Sequence, residues 1–127
     1  MYVKVTETLV SPQLLLDSLK TDFSGSIVTH LGIVRPDSNG RKVVSIEYEA
    51  DINASERELS HVANEILTKW KIQDIALYRR TGRLDLGDVI LMVAIASPHR
   101  KEAFEACEYA VECMRSMKSV KKKEIFK

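Results

Sequence analysis

"DVILMVAIASPHRKEAFEACEYAVE", residues 88–112, sets two periodicities back to back. Its first ten residues, 88–97, hold an unbroken apolar run at 89–96 and read as a strand. Pro98 then suits the first turn of a helix, where its missing N–H costs nothing. Behind it Ala103, Phe104, Cys107, Val111, Met114 and Met117 recur at helical spacing, an apolar stripe. Met and Phe at that spacing belong to a core rather than to a cofactor box. His99 and Arg100 occupy the junction. Free backbone N–H groups and the positive end of a helix favour an anion there. A polar cap with an exposed arginine is the plainer reading of the same pair.

Working outward, "IQDIALYRR" (72–80) is a second strand, and "TGRLDLG" (81–87) is the glycine-bounded turn between the two. Upstream, Leu59, Val62, Ala63, Ile66, Leu67 and Trp70 mark a helix, with Ser55 and Glu58 in a capping-box pattern. "VVSIEYEAD" (43–51) alternates and is expected to pair back on "SGSIVTHLGIVR" (24–35), with "PDSNGRK" (36–42) as a mobile hairpin loop. At the start, "YVKVTETL" is a strand, and Ser11-Pro12 caps and opens a helix through "QLLLDSLK". The order β α β β α β β α implies an α+β fold, a mainly antiparallel sheet covered by helices on one side. Residues 1–127 are expected to form a single domain.

Composition narrows the function. Apolar residues make up 45% and charged residues 29%, with a net charge of +1. No run of ~18 apolar residues exists, so no membrane span is expected. "MYVKVTETLV" lacks the apolar stretch of a signal peptide, which points to the cytoplasm. Cys107 and Cys113 fall on different helix faces and read as small buried hydrophobes, not as a disulfide or zinc pair. His30, His61 and His99 are far apart, so no metal site is expected. Nucleotide-loop, zinc-protease and nucleophile-elbow motifs are all lacking.

Charge is gathered at the end. In "MRSMKSVKKKEIFK" (114–127), Arg115, Lys118, Lys121, Lys122, Lys123 and Lys127 face only Glu124. The basic segment reads as the end of the last helix. It has three readings: a solvated terminus, a nucleic-acid contact, or a holder of a small anionic substrate. The near-neutral whole and the lack of interleaved aromatics, apart from Phe126, weigh against nucleic acid. Arg35 follows a strand, and Arg79, Arg80 and Arg83 ring a turn. Their forks suit phosphate and carboxylate, although basic turns are common.

Taken together, "GSIVTHLGIVR" (25–35), "VVSIEYEAD" (43–51), "RRTGRLDLGD" (79–88), "SPHRKEAFEACEYAVE" (97–112) and "KKKE" (121–124) are similar to the large, catalytic subunit of molybdopterin synthase. The resemblance implies an α/β-hammerhead type of fold and a sulfurtransferase of molybdenum cofactor biosynthesis. Such an enzyme converts cyclic pyranopterin monophosphate (precursor Z) into the molybdopterin dithiolene. Sulfur comes from the thiocarboxylated C-terminus of a small ubiquitin-like partner ending in Gly-Gly. Two large subunits form the central dimer of a heterotetramer, and no metal or other cofactor is needed. Arg35, His99, Arg100 and Lys123 are implied in substrate binding, and Lys122 falls on a catalytic lysine that assists proton transfer or forms a transient covalent link.

The chain departs from the family pattern at telling places. Arg115 stands where the family has a second active-site lysine, with Lys118 one turn later as its possible substitute. Arginine keeps the charge but does not release a proton. Arg79 stands where a histidine is usual, and the chain ends soon after Glu124, short of a basic segment of its relatives. These departures leave an alternative: a non-catalytic paralogue that keeps the dimer and binds the small subunit. Along a straight helix His99 and Arg115 lie about 24 Å apart, so one small pocket in one chain does not use both. The expectation is an extended groove or a pocket shared between subunits.

Overall fold

The structure is a computed structural model that describes residues 1–127. In chain order it contains β1 (Tyr2–Thr6), α1 (Pro12–Ser18), β2 (Ser26–Ile33), β3 (Asp37–Ser38), β4 (Arg41–Ala50), α2 (Ile52–Lys69), β5 (Asp74–Arg80), β6 (Gly82–Asp85), β7 (Val89–Ser97), α3 (Arg100–Arg115) and β8 (Val120–Phe126). The α+β class is as expected, and all strand pairings but one are antiparallel.

The first sheet has the order β1-β5-β7-β2, with β1 parallel to β5. Strands β5 and β7 are buried along most of their length, and period 2 splits their side chains between two cores. Ile75 and Leu77 pack with Leu59, Ile66, Ala106 and Met114 beneath α2 and α3. Ala76 and Tyr78 pack with Leu15, Leu19 and Met92 beneath α1. Helices therefore cover both faces, not one. A strand that is apolar at successive positions requires cover on both sides.

The second sheet is built on β4, which pairs with β3, β6 and β8. Val34, Val43, Ile46, Tyr48 and Leu84 form its small core. Here three expectations are corrected. First, β4 does not pair with β2. Instead β2 pairs with β7, from Ser26 opposite Ser97 onward. The turn at 39–40 does make a hairpin, but with the two-residue β3. Asn39 and Gly40 both have positive φ, 50° and 80°, as a tight two-residue turn requires. Second, part of 81–87 is strand β6, running alongside β4 from Asp85 to Gly82.

The third correction bears on function. Helix α3 ends at Arg115, and the lysine run is strand β8, not the end of a helix. In the β4–β8 ladder Lys121 lies opposite Glu49 and Lys123 opposite Glu47, while Lys122 lies opposite Tyr48. Opposite charges paired across strands make a lysine run compatible with a sheet. The α3 stripe is also narrower than its spacing suggested: Ala103, Ala106, Cys107, Ala110 and Met114 are buried, but Phe104 is 60% exposed.

Two helix starts shift as well. Ser11 and Pro12 open α1 as expected. Helix α2, however, is capped by Asp51, whose carboxylate accepts from Ala54 N–H at 3.1 Å. Ser55 and Glu58 lie within α2 and serve another purpose. Glu58 accepts the N–H groups of Lys118 and Ser119 at 2.9 and 3.0 Å, and Ser55 Oγ is 2.9 Å from Ser119 Oγ. They pin the turn that sends the chain from α3 into β8. Helix α3 starts at Arg100, two residues after Pro98, with His99 as its N-cap residue.

Candidate functional site: a cationic cleft

A cleft of about 580 Å³ opens where the end of β2, the ladder of β4 and β8, and the C-terminal end of α3 meet. Ile46, Ile90, Leu91, Val111 and Met117 supply apolar wall, and Arg35, Arg79, Arg115 and Lys122 all line it. His30, Ser38, Tyr48 and Glu124 add further polar groups. Four fixed or readily held positive charges thus face one carboxylate in a half-enclosed space. Low-dielectric walls strengthen such a field, which suits an anion.

Each cation is placed by a different local device. Arg35 follows β2 across Val34, which is buried and whose N–H donates to Asp88 O at 3.0 Å. Arg115 is the last residue of α3, where a cation complements the helix dipole. Lys122 projects from β8 on the same face as Val120 and Glu124, as period 2 demands. Its Nζ lies 3.8 Å from Glu124 Oε2, and Ser38 Oγ donates to the other oxygen of Glu124 at 3.2 Å. The segment expected as a loop therefore steadies the only carboxylate of the cleft through β3.

Arg79 is the residue that sequence reasoning placed on a turn. In the structure it is 5% exposed. Its Nη1 donates to Met114 O at 2.9 Å, and its guanidinium sits 4.4 Å from the centre of the Tyr48 ring. No carboxylate pairs with it, and its Nε has no hydrogen-bond partner. Burial pushes its pKa below the usual arginine value, a loss that attraction from Tyr48 partly offsets. The same burial pushes the Tyr48 hydroxyl up, against the opposing pull of Arg79. A signal for this was present: Arg79 shares the β5 face of Ile75 and Leu77, so it points inward.

The other expected residues lie elsewhere. His99 and Arg100 stand at the opposite end of α3 and do not line the cleft. Lys118 is exposed in the turn after α3, where its backbone N–H, not its ammonium, is engaged by Glu58. Lys123 is on the other face of β8, opposite Glu47. Neither Cys107 nor Cys113 lines the cleft. Both are free, and burial pushes the Cys107 thiol up to about 11. A wider depression of about 690 Å³ lies beside β1 and β4, but Glu7, Glu47 and Glu49 balance Lys4 and Arg83 there. It lacks the one-sided charge of the cleft.

No helix is long and apolar enough to cross a membrane. The chain is 35% identical over 123 residues to the molybdopterin synthase catalytic subunit of Bacillus subtilis (strain 168), covering 97% of this chain and 78% of that protein. Its structure matches that of molybdopterin synthase from Staphylococcus aureus with a TM-score of 0.91 and 31% identity, over 98% of this chain and 90% of that one. A chain from the complex of subunits 1 and 2 of molybdopterin-converting factor of Helicobacter pylori 26695 shares the fold, with a TM-score of 0.77 and 14% identity over 98% and 84% of the two chains. The family model described as MoaE protein matches residues 5–117. With that match over most of its length, the chain belongs to the MoaE family, that of the molybdopterin synthase catalytic subunits.

Proposed function

We propose that this chain is the sulfur-transferring large subunit of a cytoplasmic molybdopterin synthase, and that the cleft of Arg35, Arg115 and Lys122 is where the reaction occurs. The convergence of those three cations, from three separate elements, carries the reading. Both reactants of the family chemistry are anions: a cyclic phosphate on the pterin and a thiocarboxylate on the donor tail. A Gly-Gly end has no side chains and can enter a narrow cleft between Ile46, Leu91 and Met117. The cleft offers no thiol of its own, so the sulfur must be brought in. Each transfer forms a C–S bond on a pterin side-chain carbon as a C–O bond there breaks, the oxygen leaving as water or with the phosphate. Water replaces the sulfur at the acyl carbon, leaving the tail as a carboxylate. Two transfers complete the dithiolene.

In this scheme Arg35 and Arg115 hold negative charge, and Lys122 is the group that can handle a proton, beside Glu124. An arginine side chain does not give up its proton, so in this scheme the one lysine of the cleft carries the proton chemistry.

His99 and Arg100 enter from a second copy. Strand β2 is an edge of its sheet and exposes Ile27, Leu31 and Ile33. An unpaired apolar edge favours addition of another strand. If two β2 strands pair antiparallel about a two-fold axis, the Ser26 end of one meets the Ile33 end of the other, roughly 23 Å along the strand from its own Ser26. Since Ser26 is opposite Ser97, just before His99, this brings the second copy's His99 and Arg100 toward Arg35. The shared pocket resolves the separation of His99 and Arg115 along α3.

The test is a reconstituted reaction of the purified chain with a thiocarboxylated small subunit and precursor Z. Molybdopterin formation that requires Lys122 supports the reading. No product above background, with a partner shown to be competent in another synthase, rejects it in favour of the non-catalytic binding role.

A further inference from the structure

Arg79 has a part in the cleft that the proposed reaction does not use. It is almost fully buried, lacks a carboxylate, and leaves one N–H without a partner. Stability alone is a poor reason to keep such a group, because burying a cation without a counter-charge is unfavourable and an apolar side chain of similar size commonly does as well. Its two contacts are informative. Met114 O, which it binds at 2.9 Å, immediately precedes Arg115 at the end of α3. Tyr48, which it covers at 4.4 Å, is the cross-strand partner of Lys122. One guanidinium therefore joins the end of α3, which carries Arg115, to β4, the strand paired with the β8 that carries Lys122. The turn at 116–119 links α3 to β8, and Glu58 holds that turn from the other side.

We infer that Arg79 is a positioning residue for sulfur transfer: by gripping the end of α3 and the Tyr48 ring at once, it sets Arg115 and Lys122 in register around the bound anions. The inference rests on the functional reading above and extends it to a residue that does not itself bear the proton chemistry. Nη1 fixes the last turn of α3, and the flat face of the fork holds Tyr48. A lysine cannot reproduce the grip, because a single ammonium lacks the planar fork.

The experiment compares wild type with Arg79→Met, Arg79→Lys and Tyr48→Leu in the reconstituted reaction, alongside thermal unfolding. Arg79→Met is expected to keep its Tm and its KM for the small subunit while kcat falls roughly 10- to 100-fold, the scale of a misplaced catalytic group. Arg79→Lys is expected to stay at least about fivefold below wild type in kcat. Tyr48→Leu combined with Arg79→Met is expected to be no slower than Arg79→Met alone, since both remove one grip. Should Arg79→Met fail to fold, the Arg79→Lys comparison decides. Wild-type kcat in Arg79→Lys, or in a folded Arg79→Met, overturns the inference while leaving the functional reading intact. A wild-type chain that makes no product overturns the functional reading and this inference with it.

Discussion

Tyr48 and Lys122 face each other across the β4–β8 ladder. That pairing turns Lys122 into the cleft and its neighbours Lys121 and Lys123 toward Glu49 and Glu47 on the other face. Adjacent lysines in one run are thereby given different work. Lys122→Ala is expected to lower turnover about 10²- to 10⁴-fold, the range of a lost acid–base group. Lys123→Ala, by contrast, is expected to change it by less than about threefold, since it loses only an exposed cross-strand pair. Steady-state assays of the two variants side by side check this; equal losses would contradict the assignment.

With Arg115 proposed to supply charge and Lys122 to handle the proton, Arg115→Lys is expected to leave turnover within about threefold of wild type. Arg115→Ala is expected to raise KM for the anionic reactants roughly tenfold or more, through loss of a charge-assisted contact. A gain of an order of magnitude in Arg115→Lys would mean that the native cleft is impaired, as the paralogue reading requires.

These roles were only partly legible in the sequence. The helices and the long strands were visible because their apolar periods are strong. The partners of β4 were not, because pairing is decided by which faces must be buried together, and β2 found β7 rather than its neighbour in sequence. The lysine run concealed a strand since the glutamates that make it tolerable, Glu47 and Glu49, come some seventy residues earlier. Ser55 and Glu58 match a capping box in spacing, but Asp51 starts the helix earlier and frees them to hold residues 118 and 119. Arg35, Arg115 and Lys122 were each singled out from the sequence, and the fold brings them to one cleft. Arg79 was placed on a turn because its burial depends on where α3 ends.

Glu58 carries stability as well as shape. Burial pushes its carboxyl up, but hydrogen bonds from Ser119 and from the Lys118 and Ser119 amides outweigh this and hold its pKa below the usual value. Asp74 behaves alike: burial raises it, but the Met1 ammonium at 2.7 Å and the Lys20 and Ile75 amides outweigh this and hold it below its usual value. A depressed carboxylate stabilises the fold above its unfolded pKa, and that stability is lost as pH falls through the folded value. Denaturant midpoints should therefore be level from neutral pH down to the usual carboxylate range and fall below it. Glu58→Gln and Asp74→Asn should each flatten that acid limb and cost about 1–3 kcal/mol at pH 7.

Gly25 marks a close approach behind the strand–helix junction. A Cβ there would lie 2.7 Å from Pro98 O, a backbone atom that cannot swing aside. Gly25→Ala is expected to cost about 1–3 kcal/mol in unfolding experiments, as overpacking does, and to displace His99 more than Lys122. A substitution without effect on stability would mean that this junction is looser than the structure has it.

The two-fold β2 pairing predicts that a charge on the exposed edge breaks the dimer. Leu31→Arg is expected to sediment as a monomer and to lose most of its turnover while still binding the small subunit, because a buried unpaired charge opposes association. A dimer that persists would remove β2 from the interface.

A cleft completed by two copies of the chain is tested most directly by mixing variants. Lys122→Ala and His99→Ala, each inactive alone, are unfolded together and refolded so that protomers exchange. Mixed dimers then contain one cleft with an intact Lys122 and a second copy's intact His99. The prediction is recovery of about one quarter of wild-type turnover, from half the dimers with one working cleft of two. A mixture that forms mixed dimers yet stays as inactive as its parents would contradict the shared cleft.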